Sequence, residues 1–384
     1  MISRRSFLGG LAAASVGVPL AAPATRPPTA GAVSIPKPAP MSLTLANESG
    51  RGPVWTYVVG TNLATGQQCR LSADGQLVPV STSDNGPDGY TDYAIPVDGG
   101  GTTLSLPQGM SGRIYLAIGE KLKFRANPGN ALAYPAGWVP SDPNYPILHD
   151  CAEFTYDGAG MHCNTTMVDM LSVPLAISLS GAHQQTTGRL RDGGRAAVFS
   201  ALAGQAGFGG LVLEGDLRVI APGHGLDAGR FASDFFAGYV DEVWNHYRGN
   251  TMTVTAGANT FTGQVTGEEF TFSGGVRPFT KPTTRDVLFC DGALAAPNDG
   301  VTGPVAATLG AGFNRSVLTN TGAQPLADPG AYYRREPTNH YSRIMHENTV
   351  DGKAYGFAFD DVCEHASYIE DPAPTSITVT ITPF

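Results

Sequence analysis

The chain has 384 residues and a formal net charge of −9, and 42% of its residues are apolar while 15% are charged. Its length exceeds the roughly 250–300 residues at which one hydrophobic core stops growing, so two structural units are expected. The negative charge, with no basic cluster to reverse it locally, argues against nucleic acid and anionic lipid surfaces as partners. Many Gly, Pro and Thr residues favour strands and turns over a helical bundle.

The first 40 residues have the composition of an export signal followed by a leader. The stretch SRRSFL at residues 3–8 precedes a weakly apolar, Gly-broken segment that ends in small residues. This pattern predicts a twin-arginine export signal over residues 1–24, and an ordinary secretory signal with two arginines is the alternative. Residues 25–40 are Pro-rich and predict an extended leader. No segment reaches the about 20 apolar residues of a membrane span, so a secreted or periplasmic protein is expected, outside the membrane after signal removal.

Short strands and turns dominate the chain after the leader. Segments such as MSLTLANES, VWTYVVGTN, GRIYLAIGEKLKF and EFTY read as strands, and DNGPDG, VDGGG and NPGN read as turns. Residues 41–180 are therefore predicted to form a β-sandwich or barrel domain. The C-terminal segment SITVTITPF also reads as a strand, so residues of about 353–384 are predicted to return to this domain.

Residues 181–352 show a mixed pattern. The segments RAAVFSALAGQA and GRFASDFFAGYVDEVWNHYR space apolar residues three and four apart, which predicts helices, with Asp227 as a candidate N-cap of the second. NTMTVTAG, NTFTGQVTGEEFTFSG and DVLFCDG are predicted strands, PVAATLGAGFNRSVL and NHYSRIMHENTV predicted helices, and KAYGFAFDDV a further strand. The fold class expected from the residues is thus β-rich α+β, with a mixed α/β domain after the β domain.

The sequence lacks the standard motifs for cofactors and metals. The glycine-rich GFGG and GHGLDAG segments lack the G-x-G-x-x-G spacing and the strand and helix that flank a dinucleotide site. A phosphate loop, an H-E-x-x-H helix and a G-x-S-x-G elbow are also missing from the sequence. His149, Asp150 and His162 fit no standard ligand spacing. We therefore expect neither a cofactor nor a metal, which also weakens the hypothesis of an exported redox enzyme.

Five cysteines leave at least one thiol unpaired within the chain. Cys151 and Cys163 are the nearest pair in sequence and flank Glu153. A disulfide between them is one possibility, and two free thiols are the other.

The segment ILHDCAEFTYDGAGMHCNTTMVDML, residues 147–171, holds Glu153 and Asp169 in a largely apolar, Thr-rich stretch. With SGRIYLAIGEKLKF upstream and YSRIMHENTVDGKAYGFAFDDV and DPAPTSITVTI downstream, it resembles glycoside hydrolase family 64, the bacterial endo-β-1,3-glucanases of the laminaripentaose-producing type. The resemblance covers essentially residues 41–384. It implies a thaumatin-like fold, in which a β-sandwich or barrel domain and a mixed α/β domain flank a wide groove.

The resemblance also implies inverting hydrolysis of β-1,3-glucan to laminari-oligosaccharides, with Glu153 as general acid and Asp169 as general base. One protonated carboxyl gives its proton to the leaving oxygen, and one carboxylate deprotonates a water on the opposite face of the sugar. The partner expected is the polysaccharide, and a monomer is expected. The rival hypothesis is a non-catalytic thaumatin-like protein that binds β-glucan or another wall polysaccharide.

The spacing of the two acids constrains the chain path. An inverting pair stands about 6.5–9.5 Å apart, whereas a tight hairpin at DGAG would leave Asp169 roughly 15–20 Å from Glu153 along the sheet. We therefore predict a long connection from Asp157 to Thr165, with Asp169 on a strand paired beside the strand of Glu153.

Four further residues are predicted to bind the sugar. Thr155 shares a strand face with Glu153, Asp157 and Thr166 lie near the connection, and His162 occupies a position where the family resemblance implies tryptophan. Cys151 stands at another such position. Because these two positions lack tryptophan, we expect this chain to differ from the family in its affinity for glucan, its cleavage pattern or its product length.

Overall fold

The structure is a computed structural model that describes residues 40–384. The predicted export signal and all but the last residue of the predicted leader lie outside the described residues. The strands, in chain order, are β1 (Met41–Asn47), β2 (Val54–Asn62), β3 (Gln68–Leu71), β4 (Leu77–Pro79), β5 (Ile95–Val97), β6 (Thr102–Leu106), β7 (Met110–Ile118), β8 (Arg125–Asn127), β9 (Ala131–Ala133), β10 (Leu148–Asp157), β11 (Gly160–Asn164), β12 (Met170–Leu171), β13 (Leu175–Ser180), β14 (Gln184–Thr187), β15 (Val219–Ile220), β16 (Met252–Ala256), β17 (Asn259–Thr266), β18 (Glu269–Phe272), β19 (Phe279–Thr280), β20 (Ala323–Gln324), β21 (Tyr368–Asp371) and β22 (Ser376–Ile381). The α-helices are α1 (Gly194–Gly204), α2 (Pro222–Asp227), α3 (Ala237–Gly249), α4 (Thr284–Phe289), α5 (Thr302–Arg315) and α6 (His340–Asn348).

Two sheets share one hydrophobic core in the first part of the molecule. A five-stranded sheet has the order β14-β13-β22-β1-β6, and an eight-stranded sheet has the order β21-β11-β10-β7-β2-β3-β4, with β5 attached to β2. Strands of the smaller sheet alternate buried and half-buried residues, as β1 does, because one face packs inward and the other faces water. Their common core contains Leu43, Leu104, Ile177 and Val379 from the smaller sheet and Val58, Ile114, Leu116, Phe154 and Met161 from the larger one.

The larger sheet is covered on its other face as well. Tyr57, Tyr115 and Cys151 point away from the sandwich core and pack with Phe124 and Leu132, which belong to the segment between β7 and β10. This second covering explains why the central strands β7 and β10 are buried on both faces over much of their length.

The end of the chain returns to these sheets. β22 pairs in parallel with β1 and antiparallel with β13, and β21 pairs with β11. The strand predicted at SITVTITPF is therefore present as β22. The domain boundaries themselves stay a prediction.

A helix-rich part has its own core. The sheet β19-β18-β17-β16-β20 packs with the helices around a cluster that includes Val198, Phe236, Tyr239, Val243, Trp244, Phe270, Leu309, Phe313 and Ile344. The apolar stripe predicted from Phe231 to Trp244 is buried, but the helix that carries its second half starts only at Ala237. Asp227 does not cap α3 as predicted, because it is the last residue of α2.

Two predicted strands are not strands. Residues 284–289 of the DVLFCDG region form α4, because Thr283 and Asp286 make a reciprocal capping box that starts a helix. The segment 353–362 forms turns with a single bridge at Tyr355. The remaining pattern agrees with the sequence, and the molecule is β-rich with few helices, as predicted. Within residues 40–384, no helix is long and apolar enough to span a bilayer.

Candidate active site

Glu153 lies on β10, near the middle of the larger sheet, on the face turned away from the sandwich core. Its neighbours Ala152 and Phe154 belong to that core, while the Glu153 side chain remains 20% exposed. This is the alternation that a strand imposes on successive side chains. The register sets Arg113 of β7 opposite Glu153 on one side and Asn164 of β11 on the other.

The connection between β10 and β11 is a tight turn, so the long connection predicted from Asp157 to Thr165 is wrong. Asp157 pairs with Gly160, and Asp157 Oδ1 accepts a hydrogen bond from the backbone N–H of Ala159 at 2.8 Å. Gly160 has a φ of 127°, which favours glycine and lets the chain reverse within two residues.

Asp169 nevertheless returns towards Glu153, because the chain leaves the sheet after Asn164 instead of running on beside β10. The backbone N–H of Thr165 donates to Ser367 O at 3.2 Å, and that of Met167 donates to Tyr355 O at 2.8 Å. Asp169 therefore lies in a bend just before β12, not on a strand paired with β10 as predicted. A tight hairpin and a close pair of acids are compatible once the chain folds back across the sheet.

Arg113 contacts both acids. Its Nε donates to Glu153 Oε1 at 3.0 Å, and its Nη2 lies 2.8 Å from the same oxygen and 3.5 Å from Asp169 Oδ2. Two oxygens that share one nitrogen at these distances lie no more than about 6.3 Å apart, which is just below the range of about 6.5–9.5 Å for an inverting pair. The two carboxyl groups are nevertheless close enough to flank one glycosidic bond. Burial opposes the charge of Arg113, but its neighbours, Tyr115, Cys151 and the two acids, raise its pKa well above the ordinary value.

A histidine holds the other side of Asp169. His224 Nε2 lies 2.8 Å from Asp169 Oδ1, and the imidazole stacks on the indole of Trp138 with ring centroids 4.1 Å apart. Sequence reasoning missed His224, Trp138 and Arg113, because none of them lies in a recognisable motif with an acid. The one sequence signal near His224 is the GHG triplet at residues 223–225, which does not match a dinucleotide motif.

The four predicted sugar ligands fall into two groups. Thr166 lines the same pocket as Asp169 and Arg113, and Thr155 lies next to Glu153 on the outer face, where its hydroxyl shares a 2.8 Å hydrogen bond with Ser111. Asp157 is at the hairpin turn, four residues or roughly 13 Å along β10 from Glu153. The structure brings Thr155 and Thr166 towards the acids, and it does not bring Asp157 there.

His162 lies farther along the same face, opposite Thr155 in the register. Its Nδ1 is 2.7 Å from the hydroxyl of Tyr368 and 3.0 Å from a carboxylate oxygen of Glu370, and its ring stacks against Tyr368. His162 is thus part of a polar cluster that continues the outer face away from Glu153. Its role as a sugar ligand stays a prediction.

The other unusual residues of this segment are structural. Cys151 belongs to the outer cluster and Cys163 to the sandwich core, so the two thiols point to opposite faces of the sheet and form no disulfide. Burial raises the pKa of Asp150 to about 7, although the backbone N–H groups of Ser172, Cys151 and Val173 act against that rise. Burial also lowers the pKa of His149 to about 3. In the described part of the chain, no three His, Cys, Asp or Glu side chains are grouped as metal ligands.

A small, open depression lies beside Asp169. Its walls come from the larger sheet, through Arg113 and Cys151, and from the segments that carry Trp138 and Thr166. Asp169 is flanked by Met167 and Leu171, which belong to the core of the helix-rich part, whereas Glu153 belongs to the sandwich. The two acids thus meet where the two parts of the molecule meet.

Comparison with known proteins identifies the family. The glycoside hydrolase family 64 model, described as beta-1,3-glucanase, matches residues 39–381. Glucan endo-1,3-beta-glucosidases of Cellulosimicrobium cellulans and of Arthrobacter sp. (strain YCWD3) are each 36% identical over 365 residues, which cover 90% of this chain and 66% of the relative. The chain therefore spans just under two thirds of the length of the curated relatives it matches.

Solved structures agree with this match. A laminaripentaose-producing beta-1,3-glucanase in complex with laminaritetraose is 37% identical, with a TM-score of 0.84 over 90% of this chain and 99% of that one. The beta-1,3-glucanase domain (GH64) from Clostridium beijerinckii is 25% identical, with a TM-score of 0.79 over 91% of this chain and 100% of that one. The chain belongs to glycoside hydrolase family 64, the family of these β-1,3-glucanases.

Proposed function

We propose that this protein is an endo-β-1,3-glucanase that cleaves with inversion, with Glu153 as general acid and Asp169 as general base. The observation that carries the proposal is the pair of carboxylates on one arginine, at the junction of the sandwich and the helix-rich part. Family membership supplies the substrate class, since the relatives named above are glucan endo-1,3-beta-glucosidases.

The contacts of each carboxyl suit its proposed role. Arg113 occupies Oε1 of Glu153, while Oε2 has only a 3.5 Å contact with Asn164, so Oε2 is the oxygen proposed to carry the transferred proton. Asp169 is held by His224 on Oδ1 and faces Arg113 with Oδ2, which favours an ionised base. A water between Asp169 and the anomeric carbon then loses its proton to Asp169 as it attacks.

Three further proposals accompany this function. Thr155, His162 and Asp157, on the outer face of the larger sheet, and Thr166, just after β11, are proposed sugar ligands. The domain layout is proposed to be thaumatin-like, which the separate cores of the sandwich and the helix-rich part support. A monomer is proposed, and light scattering on the purified protein tests that state.

Export by the twin-arginine route is proposed from SRRSFL at residues 3–8. Replacing both arginines by lysine should retain the protein in the cytoplasm of a bacterial host, whereas the unchanged sequence should deliver it outside. Export of the double-lysine variant at the wild-type level would instead indicate the general secretory route.

The experiment that tests the function is hydrolysis of laminarin by the wild-type protein, Glu153→Gln and Asp169→Asn. Each variant should lose about 10²–10⁴-fold in kcat, because each lacks one proton-transfer group. Asp92→Asn, which alters an exposed ion pair with Lys121, is the matched control and should keep full activity. Proton NMR of the first products should show the α-anomer; release of the β-anomer would contradict inversion, and binding without release would identify a β-glucan-binding protein.

A further inference from the structure

The GHGLDAG segment, which carries no dinucleotide motif, places His224 next to Asp169, the proposed base. His224 lies on α2 and is 11% exposed, and its Nε2 is 2.8 Å from Asp169 Oδ1. A carboxylate only accepts hydrogen bonds, so Nε2 must carry the proton in this contact. His224 therefore donates to Asp169 in both its neutral and its protonated form.

Aromatic rings on two sides hold the imidazole. The Trp138 indole stacks on it, with centroids 4.1 Å apart and planes inclined by 17°, and the Phe289 ring meets it edge-on at 5.5 Å. A ring clamped in this way loses little further freedom when it bonds Asp169, because its rotamer is already fixed by packing.

The two glycines that flank His224 make this close packing possible. A Cβ on Gly223 would lie 2.7 Å from the Phe289 ring, and a Cβ on Gly225 would lie 2.2 Å from a methyl of Leu211. Neither glycine has a positive φ, so steric fit and not backbone conformation explains glycine at both positions. The GHG triplet thus places His224 on a short helix that packs closely against Phe289 and Leu211.

The backbone fixes the distance between His224 and Asp169. β12, which begins directly after Asp169, pairs with β15, which ends two residues before Pro222 at the start of α2. The backbone N–H of Ala221 also donates to Asp169 O at 2.9 Å. The two side chains are therefore held by one small, rigid unit.

We propose that His224 is a positioning residue for the reaction, which holds the Asp169 carboxylate in one orientation through Nε2 while Trp138 and Phe289 hold the imidazole. The inference rests on the proposed role of Asp169 as general base. A base that rotates freely spends little time aligned with the attacking water, and small misplacements of this kind cost about 10²-fold in rate. The loss should appear in kcat and not in KM, because the contact does not involve the substrate.

The test compares His224→Gln with His224→Asn. The amide nitrogen of Gln reaches the place of imidazole Nε2, and that of Asn reaches only the place of Nδ1, so the pair isolates the contact with Asp169 at equal polarity. Kinetics on laminarin, thermal midpoints and calorimetric binding of a laminari-oligosaccharide are measured for both, with Asp169→Asn in parallel and His183→Leu, at an exposed histidine, as control.

We expect His224→Asn to lose about 10–100-fold in kcat with KM and oligosaccharide affinity within about twofold of wild type, and His224→Gln to recover most of that loss. Equal kcat values for His224→Asn and His224→Gln, whether both high or both low, would overturn the positioning role. If Asp169→Asn is inactive in the same experiment, the proposed function is unaffected by that outcome. An active Asp169→Asn would instead refute the role of Asp169 as general base, and the positioning role of His224 would fall with it.

Discussion

Arg113 lies between Glu153 and Asp169, with Nη2 at 2.8 Å from the first carboxylate and 3.5 Å from the second. All three side chains are about one-fifth exposed, so water screens these contacts only in part. Because a guanidinium keeps its charge throughout the accessible pH range, Arg113 links the two carboxyl groups over that whole range.

Removing that side chain should slow the reaction. We predict that Arg113→Met loses about 10–100-fold in kcat on laminarin, because the guanidinium then no longer holds the two carboxyl groups in place. Arg113→Lys keeps a positive charge but loses the paired Nε and Nη2 contacts with Glu153, so it should recover only part of that loss. Initial rates on laminarin, with thermal midpoints to show that both variants are folded, measure this, and a wild-type kcat for the methionine variant would contradict the positioning role of Arg113.

The sequence identifies the two acids as candidates, through the family resemblance of their segment, but not their partners. Arg113 and His224 come from segments 40 residues before Glu153 and 55 residues after Asp169. Their contacts depend on the pairing of β7 with β10 and of β12 with β15, which no local pattern specifies. Alternation along a strand does predict which face Thr155 shares, and the structure agrees.

At the scale of elements, the β10–β11 hairpin shows where reasoning from spacing fails. The turn chemistry of DGAG favours a tight hairpin, and a tight hairpin forms. The error lay in assuming that the chain continues in the sheet after β11. The return of residues 165–169 depends on hydrogen bonds to Tyr355 and Ser367, about 190–200 residues later in the chain, and such long-range contacts leave no local signal.

Gly160 should be the sensitive position of this hairpin. Its φ is 127°, and a Cβ there would lie 2.1 Å from Asp371 O, on the strand that pairs with β11. We predict that Gly160→Ala lowers the free energy of unfolding by about 1–3 kcal/mol, because both the backbone and the β11–β21 pairing must shift.

Gly158 in the same turn is the matched control for that prediction. A Cβ on Gly158 meets no atom within 4 Å, and its φ is not positive, so Gly158→Ala should change the unfolding free energy by less than about 0.5 kcal/mol. Urea unfolding followed by fluorescence measures both variants. Equal stability of the two would refute the steric argument.

Helices and strands in which apolar residues recur with a regular spacing could be predicted from the sequence. The exceptions have local causes. The alternation in β16 to β18 and the apolar spacing in α5 and α6 gave the right element types. The DVLFCDG run has the composition of a strand, but the capping box of Thr283 and Asp286 begins a helix there. The start of α3 at Ala237 shows that burial of aromatic residues does not require all of them to lie on the helix.

At the scale of the whole molecule, one buried carboxylate joins several elements of the helix-rich part. Asp360 Oδ1 accepts from Arg315 Nη2 at 3.1 Å, and Oδ2 accepts from Ser342 Oγ at 2.8 Å and from the Gly356 N–H at 3.0 Å, and lies 3.0 Å from His346 Nε2. These partners connect α5, α6 and the turn segment that follows. Tyr355 O in the same segment accepts a hydrogen bond from the Met167 N–H, and this bond helps to fix the bend that carries Asp169.

Burial alone would raise the pKa of Asp360, but His346 and Arg315 outweigh it and hold the pKa well below its usual range. A carboxyl whose pKa is lower in the folded state stabilises that state above the pKa of the unfolded chain, near 4, and this contribution is lost as the pH falls further. The ion pair with Arg315 is almost fully buried, with 2% and 0% of the two side chains exposed. Removing one partner therefore leaves a buried charge without compensation.

We predict that Asp360→Asn lowers the free energy of unfolding by about 3–5 kcal/mol at pH 7. Below about pH 4 this difference from wild type should narrow, because the stabilisation that the ionised Asp360 gives to the folded wild-type protein is lost there. Glu268→Gln, at an ion pair with Arg248 that is largely exposed, serves as the control and should cost less than about 1 kcal/mol. Urea unfolding at pH 7 and at pH 3 measures both variants. A difference that widens as the pH falls would mean that Asp360 is protonated in the folded protein, and that the network around it does not depend on its charge.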